Sequence, residues 1–139
     1  MLLAKTSISI LFMISASVAC AKSIPGLPVE RAHLFATCAG RFEALVDHYT
    51  STRHPDLSET EDVHRQFADL TEAMLPDLAP SGVSTVEVAE WQQTGQQEIA
   101  ALILQIRLGV TIEKASTANA DFAEKLQFCA DLVLPPNGE

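Results

Sequence analysis

The sequence predicts an all-α fold, an up-down four-helix bundle with one disulfide. Three observations predict it. Apolar residues recur at spacings of three and four in four separate stretches. Proline, glycine and short polar runs separate those stretches, and no segment alternates convincingly as a half-buried strand would. Two cysteines, Cys38 and Cys129, stand in the first and last stretch.

The first helix is expected over 29–53. Pro28 suits a first-turn position and Pro55 ends the segment. Phe35, Cys38, Phe42, Leu45 and Tyr49 fall on one narrow face, which Leu34 and Val46 widen, so Cys38 points inward. The second helix is expected over 58–75. Ser58-x-x-Glu61 has the capping-box pattern, and acidic residues fill a first turn that the helix dipole favours. Its apolar stripe is thin: Val63, Phe67, Leu70 and Met74. Pro76 is expected to stop it, leaving Pro76 to Gly82 as a loop.

The third helix is expected over 85–108, with a second capping box at Ser84-x-x-Glu87 and Gly109 just past its end. Val88, Trp91, Gly95, Ile99, Leu102 and Ile106 form its inner face. Gly95 costs helix stability of about 1 kcal/mol relative to alanine, which points to close packing there. The fourth helix is expected over 112–134, with Phe122, Leu126, Cys129 and Val133 inward and Pro135-Pro136 as the stop. Its start is the least defined boundary, because Ser116-Thr117-Ala118-Asn119 is a weak stretch.

Residues 1–21 read as a secretory signal. Lys5 is their only charge, and the apolar run from Ile8 to Ala19 is short for a membrane span. Ala19-Cys20-Ala21 fits small-x-small cleavage before Lys22, which predicts an exported, periplasmic chain. The remaining organisation is an extension at 22–28, one domain at 29–134 and a tail at 135–139. Ser17-Val18-Ala19-Cys20 loosely resembles a lipobox, although Ser17 stands where such boxes usually have leucine. Lipidation at Cys20 is thus one alternative, which would hold the chain at a membrane, and an uncleaved N-terminal anchor is the other.

In an exported protein, Cys38 and Cys129 are expected to pair; the alternative is two buried thiols. Closing a 91-residue loop is worth roughly 4–5 kcal/mol by chain entropy. Cys38 lies about nine residues into the first helix and Cys129 about five from the end of the last. At about 1.5 Å per residue, antiparallel packing leaves them only about 6 Å apart in height.

Phe35-Ala36-Thr37-Cys38-Ala39-Gly40-Arg41 resembles a segment of small exported bacterial proteins of uncharacterised function. In that group the segment opens a long helix and a second cysteine sits near the C-terminus, as Cys129 does here. The resemblance covers this heptapeptide, the chain length and the cysteine placement. It implies no activity and carries over no functional residue.

Composition narrows function by exclusion. With 139 residues, 47% hydrophobic and 19% charged, the chain is one folded domain rather than a disordered segment. A net charge of −9 argues against a nucleic-acid partner, since no basic stripe is available to displace counterions. The six glycines form no phosphate-binding loop, and the absence of CxxCH removes covalent haem. Asp47 and His48 are helix neighbours about 100° apart, and no Gly-x-Ser-x-Gly accompanies them. No catalytic residue and no cofactor are assigned, and the chain is read as non-catalytic. A small periplasmic enzyme of unknown reaction stays as an alternative.

The best cluster of ligating residues is the turn with His54, Asp56, Glu59, Glu61 and His64. Two imidazoles with carboxylates suit Zn²⁺, Cu²⁺ or Ni²⁺, but the spacing matches no established site. A divalent-metal module is therefore an alternative, set against a solvated turn whose acids stabilise a helix start. Two surface features favour a partner. Ala101, Leu104 and Leu108 form an apolar back on the third helix, unless the following loop or the segment Ile24 to Leu27 covers it. Ala36, Gly40 and Ala44 form a small-residue stripe opposite the first helix's core face, open to another backbone or merely low-volume surface. The reading is an exported helical interaction module acting through a protein partner or self-association.

Overall fold

The computed structural model describes residues 26–109 and 111–133. The signal segment at 1–21, Cys20 and the tail at 135–139 lie outside the described residues. The described residues form four α-helices and one short 3-10 turn, with no strand: α1 (Pro28–Thr52), α2 (Leu57–Leu78), the turn Ala79–Ser81, α3 (Thr85–Leu108) and α4 (Ile112–Val133).

Pro28 occupies the first turn of α1, where its missing N–H costs nothing. The helix ends on Arg53, a non-glycine residue in the left-handed region at φ 54°. The His54 N–H then returns to the Tyr49 carbonyl at 2.9 Å, so the reversal satisfies a late helical acceptor. The expected inner residues Phe35, Cys38, Phe42 and Leu45 are buried, and Tyr49 is half-buried. Phe67 of α2, with 0% exposure, sits between Phe35 and Phe42 at ring distances of 6.4 and 5.9 Å. Such aromatic contacts add about 0.5–1.5 kcal/mol each beyond burial.

Two expectations for α2 are corrected. Its N-cap is Asp56, and Ser58 lies inside the helix, so the Ser58-x-x-Glu61 box does not form. Nor does Pro76 stop the helix: α2 continues through it to Leu78, and the 3-10 turn follows directly. A proline this close to the end removes one backbone bond. Leu78, 1% exposed against Ala32, Ala36 and Val88, offsets that loss by burial. The true break comes at Gly82, at φ 74°.

The capping residue of α3 is as expected: the Ser84 hydroxyl accepts the Glu87 N–H at 3.2 Å. Gly109 ends the helix at φ −35°, not left-handed; a Cβ there would approach the Ala115 Cβ to 2.8 Å. The Thr111 hydroxyl accepts the Lys114 N–H at 3.2 Å and steadies the start of α4.

Helix α1 is the axis of the fold and is buried on two sides. Its aromatic face packs on α2. Its opposite face, carrying Ala36, Gly40 and Ala44, packs on α3. This corrects the reading of that stripe as an interface with another molecule: all three residues are buried, and the backbone they admit is α3 of the same chain. A Cβ on Gly40 would stand 1.8 Å from the Gln92 carbonyl oxygen, and one on Gly95 would stand 2.1 Å from the Thr37 carbonyl oxygen. Val88 meets Ala32 and Ala36, Arg41 meets Glu98, and Leu102 meets Ala44. Partners rise together along both helices, so α1 and α3 are parallel. Helices α2 and α4 run the other way, which completes the up-down order.

Helix α4 packs chiefly on α3 and touches α1 and α2 more sparingly. Only Ala118 and Cys129 are buried in it. The disulfide Cys38–Cys129, with Cα atoms 5.7 Å apart and both cysteines at 0% exposure, ties it to α1.

Candidate interaction surface

The polar chemistry of the molecule gathers around the disulfide. Arg41 on α1 grips Glu98 on α3 through two nitrogens, at 2.9 and 2.8 Å. Lys125 on α4 bonds the other oxygen of the same carboxylate. Arg41 also reaches the Lys125 carbonyl at 3.5 Å and lies 3.6 Å from the Cys129 sulfur. Burial alone would raise the Glu98 carboxyl. The bond from Lys125 and the charge of Arg41 outweigh it and hold the group below the usual glutamate range. Three helices thus share one ionic knot with every charge in it paired. It joins α4 to α1 and α3, and it presents no free group for chemistry. Sequence periodicity missed it, because a charge at an inner position looks like any surface residue until its partners are placed.

The histidine-acid turn is opened out. His54 stacks on Tyr49 with ring centres 3.9 Å apart, and its Nδ1 accepts the Asp56 N–H at 3.2 Å. Burial, and secondarily the Asp56 charge, pushes the Tyr49 hydroxyl above its usual value. Among the described residues no three of His, Cys, Asp or Glu come together as metal ligands, so His54, Asp56, Glu59, Glu61 and His64 do not converge. His33 meets Trp91 edge-on at 4.9 Å, across a groove that Arg41 and Phe128 also line.

The apolar back of α3 is open. Ala101 is exposed, Leu104 is 54% exposed and Leu108 is 66% exposed, and Ile112 at the head of α4 adds a fourth apolar residue at 92%. Leu27 cannot cover them. It precedes α1, and because α1 and α3 are parallel it lies at the far end of the bundle, about 30 Å away by helical rise. A groove of about 770 Å³ runs beside these residues between α3 and α4, bordered by Leu104, Leu108, Lys114, Thr117, Ala118 and Asp121. From Ile99 to Ala120 the chain carries only Arg107, Glu113 and Lys114, a local charge of +1 in a chain of −9. None of the described helices is long and apolar enough to cross a membrane.

No protein-family model, curated protein or solved structure matches this chain.

Proposed function

We propose that the chain is an exported, non-catalytic interaction module that docks through the α3–α4 corner. The observation that carries this reading is the cluster Leu104, Leu108 and Ile112, three large apolar side chains each more than half exposed at one corner. Fully burying side chains of this kind is worth about 1.5–3 kcal/mol each, so leaving three in water favours a surface that is covered in use. Export is supported by the signal-like segment and by a buried disulfide suited to an oxidising compartment.

The test is the double variant Leu104→Glu/Leu108→Glu, compared with the parent chain for sedimentation and for retention on an envelope fraction. Both side chains are exposed, so the variant should keep its helical spectrum and its stability within about 0.5 kcal/mol. The reading predicts that it loses self-association or envelope retention. Equal behaviour of the two chains in both assays would contradict it.

A further inference from the structure

We propose that the seam between α2 and α4 is a binding site for a small organic ammonium ion, an amine carried on an apolar body of one ring or a short alkyl chain. The site is separate from the α3–α4 corner and stands whether or not that corner docks a partner.

Helix α4 packs chiefly on α3 and touches α2 only sparingly, so the bundle is left open along this side. A slit of about 340 Å³ remains between the two helices. Its floor is Phe42, Val63 and Leu126, which belong to the main core or pack directly against it. Its α4 wall carries Ala123, Gln127 and Ala130, too small or too polar to close the gap. The volume lies at the small end of the range for ligand pockets, about 300–1,000 Å³, and bundles hold their ligands between facing helices.

Charge selects the occupant. Tyr49, Asp56 and Glu59 stand at the end of the slit nearest the turn from α1 to α2. Asp56 is the N-cap of α2, yet its side chain makes no capping bond. Its carboxylate lies 3.8 Å from the His54 Nδ1, but that nitrogen accepts the Asp56 N–H and so has no proton to offer. Glu59 forms no ion pair among the described residues. No lysine or arginine lines the slit, and Arg53, the nearest cation in sequence, stays outside it. On α4 the flanking charges are Glu124 and Asp131, again carboxylates, and Lys125 is held by Glu98.

Two carboxylates three residues apart share a helix face, so both can accept from one ammonium group. Beyond them the polar groups are already engaged. The Thr60 hydroxyl donates to the Asp56 carbonyl at 2.8 Å, and the Gln127 amide donates to Asp131. What remains is apolar floor, suited to the body of the ligand. The net charge of −9 draws cations to the molecule and repels an anion of the same shape.

The experiment is calorimetric titration of the full chain with 4-phenylbutylammonium, beside 4-phenylbutan-1-ol and 4-phenylbutyrate as neutral and anionic counterparts. The ammonium should bind saturably below millimolar and shift the methyl resonances of Val63 and Leu126. The alcohol should bind about tenfold more weakly, and the carboxylate should not bind. Asp56→Asn/Glu59→Gln loses no capping bond, and it should bring the ammonium down to the affinity of the alcohol. Ala123→Trp fills the slit from an exposed position and should abolish binding of both. Absence of saturable binding by the ammonium, equal affinity for the three compounds, or full binding by Ala123→Trp would overturn the proposal. So would shifts at Leu104, Leu108 and Ile112 in place of Val63 and Leu126. The compound series uses the parent chain alone, so it decides the matter even if a variant fails to fold.

Discussion

Gly40 on α1 lies so close to Gln92 on α3 that a Cβ would sit 1.8 Å from the Gln92 carbonyl oxygen. The obstacle is backbone, which cannot swing aside as a side-chain end can. Gly95 returns the contact against Thr37, so the two parallel helices touch through reciprocal glycines. Close approach, rather than turn geometry, explains both residues.

Gly40→Ala and Gly95→Ala therefore oppose two effects. Alanine favours an isolated helix by about 1 kcal/mol. Overpacking a tight contact costs about 1–3 kcal/mol or more, and here it forces two backbones apart. Each variant should lose net stability in urea denaturation. A gain in midpoint would show that α1 and α3 are not in such contact.

Pro76 is predicted to be a cost that Leu78 offsets. Pro76→Ala restores an N–H inside α2 and removes a ring clash, so the melting temperature should rise, by about 1–3 kcal/mol in stability. An unchanged or lower melting temperature would mean that Pro76 itself helps to seat Leu78.

Glu98 gives the fold an acid sensitivity of known sign. Its folded-state pKa is depressed, so its contribution is fully present above the unfolded glutamate value and is lost as pH falls through the folded value. The knot is partly exposed, at 14%, 32% and 33% for Arg41, Glu98 and Lys125, and solvent screening limits the effect to about 1 kcal/mol or less. Glu98→Gln should flatten the fall in stability on the acid side of that window. A variant with the same acid slope as the parent would remove Glu98 from the account.

Much of this architecture was legible in the sequence. Phe35, Cys38, Phe42 and Leu45 announce one face of α1, Val88, Ile99 and Leu102 announce the inside of α3, and Ser84 marks its start. The second buried face of α1 was hidden, because alanine and glycine contribute little amphipathic contrast. Ala36, Gly40 and Ala44 say that a backbone comes near without saying whose. Pro76 misled because a local stop signal was outweighed by the burial of Leu78, a tertiary effect. At the candidate surface, Leu104 and Leu108 were readable from their angle on the helix. The sequence marks Ile112 only as a helix start, and its exposure follows from the placement of α3 and α4.

The disulfide matters most for α4, whose other buried anchor is Ala118. Opening it removes a loop-closure contribution of roughly 4–5 kcal/mol in the entropic account, and the amides of α4 should lose exchange protection before those of α1. Loss of protection spread evenly over all four helices would show that α4 is not the separable element.

The most direct measurement is peptide mapping by mass spectrometry of the chain isolated without reductant and digested with thiols blocked. The account predicts one linked pair, joining the peptide of Cys38 to that of Cys129. Recovery of both as blocked free thiols, or of either joined to Cys20, would contradict the tie between the first and last helices.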